Sequence, residues 1–272
     1  MLNAPDKDTL LCMSLAGRPG NFGTRFHNFL YARLGLNYLY KAFTTQDLPA
    51  AIGGIRALGI RGCAVSMPFK EASIPLVDEL DPSAAAIASI NTIVNDGGYL
   101  RAYNTDYLAI GQLIERHRLD PAMPFALHGS GGMAKAVACA FRDAGFGHGT
   151  IVARNTQAGP ALAQQCGYDW RHALGALRPA LLVNVTPLGM AGGPGADTLA
   201  FEAAAVEAAE WVFDVVALPP RTPLIQLAEQ LGKPVITGLD VVALQALEQF
   251  VLYTGVRPDE ALVREAAAFA RG

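Results

Sequence analysis

The chain has 272 residues, of which 51% are hydrophobic and 17% are charged, and its formal net charge is −3 at pH 7. This length and composition allow a sizeable buried core, in one large domain or two smaller ones, and argue against a disordered chain. Because the charge is slightly negative and no long run of lysine or arginine occurs, a nucleic-acid partner is not expected.

The N-terminal segment, 1–9, carries Asp6, Lys7 and Asp8 without a secretory signal pattern, and no stretch approaches the roughly 18 apolar residues of a membrane span. We therefore expect a cytoplasmic protein without membrane contact. The four cysteines lack Cys-x-x-Cys spacing, and the five histidines lack His-x-x-x-His spacing. Buried free thiols and no bound metal are therefore expected.

Apolar runs of strand length alternate with helical periods in the first part of the chain, which predicts an α/β fold. The expected strands are 10–15, 38–43 and 63–66. One helix is expected at about 24–34, and a second helix is expected to end near 58. Pro68 fits the first turn of a further helix that carries Phe69 and Lys70.

A hairpin is predicted where Asp96-Gly97-Gly98 separates the apolar runs 91–95 and 99–103, because glycine readily adopts positive φ. A helical pattern then extends from Asp106 to about 117, so we place a domain boundary near Asn104.

The second part of the chain repeats the alternation of strands and helices. A strand at 125–128, a helix at 133–144 and a strand at 150–153 predict a βαβ unit. The remaining expected elements are strands at 180–185, 211–216 and 234–237, and helices at 223–231, 241–254 and 259–270.

The turn Gly129-Ser130-Gly131-Gly132-Met133-Ala134 joins the first strand and helix of this βαβ unit. Its first glycine permits a tight turn, the next lets backbone N–H groups approach a pyrophosphate, and the small Ala134 allows close helix packing. The helix N-terminus adds positive potential. These six residues are predicted to bind a dinucleotide.

The end of the next strand reads Ala153-Arg154-Asn155-Thr156 and lacks the acidic residue that NAD enzymes use for the ribose hydroxyls. A guanidinium here attracts a 2′-phosphate, so Arg154 and Asn155 predict NADP, with NAD still possible. The alternative interpretation of Arg154 is a solvated charge at a strand end.

Lys70 and Asp106 are candidates for proton handling. Reduction of a ketone needs a hydride from nicotinamide and a proton for the oxygen, and an ammonium held by a carboxylate can deliver that proton. Taken alone, the two residues equally fit a surface salt bridge.

The chain resembles the shikimate dehydrogenase family in seven ordered motifs that extend over nearly its whole length. They are Gly17-Arg18-Pro19 with Phe26-His27-Asn28, Ser66-Met67-Pro68-Phe69-Lys70, Ile90-Asn91-Thr92, Asn104-Thr105-Asp106, Asn184-Val185-Thr186-Pro187-Leu188-Gly189-Met190, Thr222-Pro223-Leu224 and Leu244-Gln245-Ala246.

The resemblance implies a two-domain α/β fold. Residues 1–104 would form an N-terminal substrate domain, 105–239 a Rossmann-like NADP-binding domain, and the C-terminal helices, 240–272, would return to the first domain.

The resemblance also implies roles for individual residues. Lys70 and Asp106 would be the catalytic pair, and Ser66, Asn91 and Gln245 would hydrogen-bond the substrate hydroxyls, a task suited to uncharged donors and acceptors. On the nicotinamide side, the implied residues are Asn184, Thr186, Met190, Val215 and Gly238.

The chain departs from the family pattern at the segment that usually reads Ser-x-Ser-Pro and grips the substrate carboxylate. Here it reads Gly20-Asn21-Phe22-Gly23-Thr24-Arg25, so we expect Asn21 and Thr24 to replace the serines, with Arg25 adding charge. Ala217 stands where a tyrosine is usual, and Ala158 where a second basic residue is usual.

Together these features predict an NADP-dependent oxidoreductase of aromatic amino acid biosynthesis that interconverts 3-dehydroshikimate and shikimate or a close analogue. The partner is a small ring carboxylic acid, and the protein is a monomer or homodimer. Two alternatives stay open: a quinate or aminoshikimate dehydrogenase, and a non-catalytic NADP-binding sensor.

Overall fold

The structure is a computed structural model that describes residues 4–272. The first three residues of the segment 1–9, and of the first domain expected from the sequence, lie outside the described residues. The chain divides into two compact units. The first unit comprises the described residues up to Leu108 together with Ala243–Gly272, and the second unit is Ala109–Val242. Both contain a β-sheet flanked by helices, so the α/β prediction is confirmed.

The first unit contains a six-stranded mixed sheet in the order β2-β1-β3-β5-β6-β4. β1 is parallel to both β2 and β3, whereas β5 is antiparallel to β3 and β6. The strands are β1 (Leu10–Leu15), β2 (Tyr38–Phe43), β3 (Gly62–Val65), β4 (Glu79–Leu80), β5 (Thr92–Asp96) and β6 (Tyr99–Tyr103).

The helices of the first unit come from both ends of the chain: α1 (Phe22–Arg33), α2 (Leu48–Ala57), α3 (Pro82–Ala85) and α10 (Glu260–Arg271). α10 packs on α1, where the rings of Phe29 and Phe269 lie 5.1 Å apart and Arg33 pairs with Glu265 at 2.7 Å. The expected return of the C-terminal helices to the first part of the chain is therefore present.

The predicted hairpin forms between β5 and β6. Asp96 pairs with Tyr99, which leaves Gly97 and Gly98 as a two-residue loop with φ of 63° and 97°. Two successive positive φ angles suit a tight hairpin turn, and glycine adopts them without strain.

The helix expected after Pro68 is wrong. Residues 67–73 form turns, followed by a short 3₁₀ helix at Ile74–Leu76. Pro75 lacks the N–H that a continuous helix would need for the carbonyl of Glu71, and it disfavours helical geometry at Ile74. Ser73 makes one bond of helical spacing, from its backbone N to the carbonyl of Phe69, and its Oγ donates to the same carbonyl, but the turn does not continue as a helix.

The second unit contains an all-parallel sheet in the order β12-β11-β10-β7-β8-β9. Its strands are β7 (Phe125–His128), β8 (Gly149–Val152), β9 (Asp169–Arg171), β10 (Leu181–Asn184), β11 (Trp211–Asp214) and β12 (Val235–Thr237). This is the order of a dinucleotide-binding Rossmann sheet, in which the ligand crevice lies where the order reverses, between β7 and β10.

The helices belonging wholly to the second unit are α5 (Gly132–Asp143), α6 (Ala158–Cys166), α7 (Ala203–Ala208) and α8 (Pro223–Gln230). Two longer helices, α4 (Thr105–His117) and α9 (Gly238–Thr254), begin in one unit and end in the other. The sequence analysis missed α6, α7 and β9.

All four cysteines are buried free thiols, as expected. No helix within residues 4–272 is long and apolar enough to cross a membrane.

Candidate active site

Lys70 and Asp106 form an ion pair in the first unit. The Lys70 Nζ lies 2.8 Å from Asp106 Oδ2, and the side chains are 29% and 11% exposed. Lys70 stands in the turn that follows β3, while Asp106 stands in the first turn of α4, a favourable place for a carboxylate at a helix N-terminus. The pair is thus partly shielded from water but still accessible.

The ion pair lines a cavity of about 230 Å³ in the first unit. Its wall brings together the five polar residues assigned by the resemblance to catalysis and hydroxyl binding: Ser66, Lys70, Asn91, Asp106 and Gln245. Four other polar side chains that the sequence analysis did not assign also line it: Ser14, Arg18, Tyr40 and Gln249.

Asn91 has a fixed orientation in this wall. Its Oδ1 accepts hydrogen bonds from the Thr105 backbone N at 2.8 Å, the Thr105 Oγ1 at 3.1 Å and the Thr92 Oγ1 at 2.8 Å. Because a backbone N–H requires an acceptor, the atom facing Thr105 is the oxygen. The Asn91 Nδ2 group therefore remains available to donate into the cavity.

Gln249 supports the same network from α9. Its Nε2 donates to Thr92 Oγ1 at 3.1 Å. Gln249 follows Gln245 by four residues on one helix, and this spacing puts both amides on the same face. That spacing was a signal in the sequence, and it could have identified Gln249.

Asn21, Thr24 and Arg25 are not among the residues that line this cavity. Among the described residues, Asn21 precedes α1 without making a side-chain cap, and the buried Thr24 hydroxyl has no hydrogen-bond partner. The Arg25 guanidinium lies 4.9 Å from the ring centre of Phe269, on α10. The wall at this point consists instead of Arg18, Pro19, Gly20, Phe22 and Gly23.

Buried aromatic residues surround His27 next to this region. Its imidazole stacks on Tyr40 with ring centres 4.4 Å apart, and neither ring nitrogen has a hydrogen-bond partner within residues 4–272. Burial lowers the pKa of His27 to about 3, so the ring is neutral near pH 7.

The glycine-rich turn of the second unit lies at the point where the strand order reverses. Gly129 follows β7 with φ of 134°, and a Cβ there would lie 2.8 Å from Val185 Cγ2, next to the end of β10. A Cβ on Gly131 or Gly132 would meet no atom within 4 Å. The packing of residues 4–272 therefore does not require glycine at those two positions.

The remaining residues of the turn begin α5. Ser130 and Gly131 precede the helix, and Met133 and Ala134 lie in its first turn. Ala134 is fully buried, in agreement with the tight helix packing expected of a small residue at this position.

Arg154 lines a second cavity, of about 530 Å³, at the ends of β7 and β8. Two histidines and one carboxylate share its wall: His128, His172 and Glu202. The His128 Nδ1 lies 2.8 Å from the carbonyl of Ala200 and donates to it, so Nε2 is an acceptor. Burial lowers the pKa of His128, and the nearby positive charge of Arg154 lowers it further. The hydrogen bond to Ala200 acts in the opposite direction and raises it.

Asn155 does not line that cavity. Its Oδ1 accepts from the backbone N of Gln157 and of Ala158, both at 2.9 Å, which fixes the start of α6. The role of Asn155 in this geometry is that of a turn residue.

The residues expected near the nicotinamide lie around a buried network at the ends of β10 and β11. Asn184 Nδ2 donates to Asp214 Oδ1 at 2.9 Å, and Thr186 donates to Asn184 Oδ1 through both its backbone N and its Oγ1. Thr222 donates to Asp214 Oδ2 at 2.6 Å. Burial raises the pKa of Asp214, and these hydrogen bonds oppose the rise.

Gly238 and Met190 also lie near these strand ends, where Gly238 is tightly packed and Met190 is exposed. A Cβ at Gly238 would come within 2.4 Å of the Val215 carbonyl oxygen, so glycine is needed there for packing. Met190 is an exposed apolar side chain, whose backbone N donates to the carbonyl of Pro187.

Comparison with known proteins gives a consistent result. A family model described as the shikimate dehydrogenase substrate binding domain matches residues 22–93. A shikimate dehydrogenase-like protein of Haemophilus influenzae is 58% identical over 266 residues, covering 98% of this chain and 98% of that protein.

Two solved structures extend the comparison. Shikimate 5-dehydrogenase from Thermus thermophilus in complex with NADP(H) and shikimate is 29% identical with a TM-score of 0.86, covering 96% of this chain and 99% of that one. Quinate dehydrogenase from Corynebacterium glutamicum in complex with NAD is 26% identical with a TM-score of 0.86, covering 95% and 98%.

Proposed function

Because the chain belongs to the shikimate dehydrogenase family, we propose that it is an NADP-dependent oxidoreductase that interconverts 3-dehydroshikimate and shikimate. The observation that carries the proposal is the Lys70–Asp106 ion pair in a cavity that also presents Ser66, Asn91 and Gln245. A ring acid with several hydroxyls needs such a set of fixed, mostly uncharged donors and acceptors.

The proton step rests on Lys70. In the reducing direction the carbonyl carbon gains a hydride, and the Lys70 ammonium donates a proton to the carbonyl oxygen, which becomes the hydroxyl. Asp106 holds the ammonium in position through their 2.8 Å contact. In the oxidising direction the neutral amine accepts the hydroxyl proton.

Asn91 orients the ring during this step. Its Oδ1 is occupied by Thr92 and Thr105, so its Nδ2 donates to a substrate hydroxyl. Thr105 is the neighbour of Asp106, and the hydroxyl-binding and proton-handling groups are therefore tied together through one short segment. The first unit supplies the substrate domain, 1–104 with 240–272.

The second unit fits a dinucleotide and supplies the cofactor domain, 105–239. Its parallel sheet has the Rossmann order, and the Cβ positions of Gly131 and Gly132 face open space that a pyrophosphate can enter. When bound, the nicotinamide supplies the hydride. Thr186, Met190, Val215 and Gly238 border the nicotinamide end.

Arg154 carries the preference for NADP. Its guanidinium lines the 530 Å³ cavity, where it pairs with a 2′-phosphate by charge-assisted hydrogen bonds. His172 on the same wall is a further donor, and Glu202 is the only carboxylate among the residues that line this cavity.

The direct test is turnover by the purified protein of shikimate, quinate and aminoshikimate, each with NADP and with NAD. The proposal expects the highest kcat/KM for shikimate with NADP. A higher value for quinate or aminoshikimate makes the protein a dehydrogenase of that acid, and tight NADP binding without turnover of any ring acid makes it a sensor.

Quinate is the alternative that a specific observation favours. The similar Corynebacterium glutamicum structure is a quinate dehydrogenase with NAD, and this chain has Ala217 in place of the usual tyrosine and no Ser-x-Ser segment. The Lys70–Asp106 pair can handle the proton of a ring hydroxyl in either acid, so the turnover ratio separates the two activities.

A further inference from the structure

The cavity of the first unit contains three charged side chains: Arg18, Lys70 and Asp106. Lys70 and Asp106 neutralise each other at 2.8 Å. Arg18 has no hydrogen-bond or ion-pair partner within residues 4–272. The cavity therefore has one uncompensated positive charge, and it is complementary to a ligand with one negative charge.

The backbone beside Arg18 is fixed against the loop that carries the catalytic lysine. The Gly17 N donates to the Met67 carbonyl at 3.0 Å, and a Cβ on Gly17 would lie 3.0 Å from Pro68 Cδ. This close packing holds Arg18 beside the Ser66–Lys70 loop. Its guanidinium is exposed, so the side chain can turn toward a ligand without breaking an existing contact.

We infer that Arg18 binds the carboxylate of the ring acid and so replaces the two hydroxyls of the absent Ser-x-Ser segment. This inference rests on the proposed function. A guanidinium offers two parallel N–H groups that match a carboxylate, whereas hydroxyls offer one each. Asn21 and Thr24 are outside the cavity wall, and the Arg25 guanidinium packs on the ring of Phe269 and does not line the cavity.

The assignment predicts selectivity for an anion at one end of the substrate. Arg18→Gln removes the charge but keeps a long polar side chain. We expect KM for shikimate to rise about ten- to a hundredfold, because a charge-assisted hydrogen bond is lost. KM for the neutral methyl ester of shikimate should change less than about twofold, and kcat should change little, since the proton-handling pair is untouched.

Ionic strength gives a second readout. In the wild type, added salt should raise KM for shikimate because the interaction with exposed Arg18 is screened. In Arg18→Gln this salt dependence should disappear. Arg18→Lys should recover part of the affinity, since a point charge replaces the planar fork.

The experiment measures KM and kcat for the acid and its methyl ester, with calorimetric binding of both ligands, in the wild type and in Arg18→Gln, Arg18→Lys and Arg33→Gln. Arg33→Gln is the matched control because it removes an arginine from an exposed ion pair outside the cavity. Arg33→Gln should leave KM, kcat and binding unchanged for both shikimate and its methyl ester.

The inference is overturned if Arg18→Gln leaves the affinity for shikimate unchanged. It is also overturned if the variant weakens the binding of shikimate and of its methyl ester equally, which would indicate a structural role. Selective loss of the acid in Asn21→Ala with Thr24→Ala, but not in Arg18→Gln, also overturns it. A wild type that neither binds nor turns over shikimate overturns the proposed function as well, whereas normal wild-type turnover with an unaffected Arg18→Gln overturns this inference alone.

Discussion

The side-chain oxygen of Asn91 accepts a hydrogen bond of 2.8 Å from the backbone N–H of Thr105. This contact joins the start of β5 to the start of α4 and fixes which end of the Asn91 amide faces the cavity. Through Thr105, the neighbour of Asp106, Asn91 is thus connected to the Lys70–Asp106 pair.

Asn91→Asp tests this orientation. The substitution keeps the oxygen that Thr105 and Thr92 contact but replaces the Nδ2 donor with a second oxygen. We expect KM for shikimate to rise by about tenfold or more, because a donor is lost and a buried negative charge then opposes the ring acid. Steady-state kinetics check this, and an unchanged KM would mean that Nδ2 does not meet the substrate.

The NADP affinity of Asn91→Asp serves as its internal control. Asn91 belongs to the first unit and the glycine-rich turn to the second, so the Kd for NADP without substrate should stay within about twofold of the wild type.

Two alanine substitutions in the glycine-rich turn should affect different properties, one the binding of NADP and the other the stability of the fold. Gly131→Ala adds a Cβ that meets nothing within 4 Å, at an ordinary φ of −84°, so the free energy of unfolding should change little while NADP binding weakens. Gly129→Ala places a Cβ 2.8 Å from Val185 at φ of 134°, so stability itself should fall by about 1–3 kcal/mol. Denaturant melts and NADP titrations separate the two effects.

A Gly131→Ala protein that binds NADP as tightly as the wild type would contradict the assignment of this turn to the pyrophosphate.

The cofactor preference depends on Arg154. Arg154→Gln should raise KM for NADP about ten- to a hundredfold and leave KM for NAD nearly unchanged, because only NADP carries the 2′-phosphate. Arg221→Gln, which breaks an exposed ion pair with Glu229, is the matched control. Equal losses for both cofactors would show that Arg154 has no selective contact with the 2′-phosphate.

The elements predicted best are apolar runs with clear ends. β1, β2, β6 and β7 have the predicted bounds, and turn-forming or polar residues flank β2, β6 and β7 on both sides. The missed helix α6 contains Gly159 and Pro160 in its first turn, which weaken a helical pattern. Gly159 is needed there because a Cβ would lie 2.4 Å from Trp170 Nε1 on β9, a contact distant enough in sequence to escape local patterns.

The candidate site likewise contains residues that the sequence predicted and one residue that only tertiary packing identifies. Motif order predicted that Lys70, Asp106, Ser66, Asn91 and Gln245 belong together, and one cavity wall contains all five. Arg18 could not be chosen from the sequence over Arg25, because Arg18 lies two residues before the altered segment and Arg25 is its last residue. The choice depends on Gly17 packing against Pro68 and on Arg25 packing against Phe269.

Stability should depend on pH through His27. Its folded-state pKa is lowered to about 3 by burial, against an ordinary value of 6.5, so below pH 6.5 the unfolded chain binds a proton that the folded chain excludes. The free energy of unfolding is therefore unaffected by His27 titration above pH 6.5, and it decreases as pH falls from 6.5 toward 3. This single group contributes a slope of up to about 1.4 kcal/mol per pH unit.

His27→Phe keeps the ring stacked on Tyr40 but removes the titrating group. The free energy of unfolding, measured by urea melts between pH 6.5 and 4.5, should fall less steeply than in the wild type. The exposed His148, changed to Gln, is the control and should keep the wild-type slope. Identical slopes in all three proteins would contradict the buried, neutral state of His27.

The most direct test of the central claim, that Lys70 held by Asp106 handles the reacting proton, is the kcat of Lys70→Ala with shikimate and NADP, measured beside its Kd for NADP. We expect kcat to fall by about a hundredfold or more while the Kd stays unchanged, the scale of a lost general acid or base. Lys41→Ala, which removes a lysine resting on Phe43 outside the cavity, should retain wild-type kcat. A Lys70→Ala protein with wild-type kcat would contradict the claim.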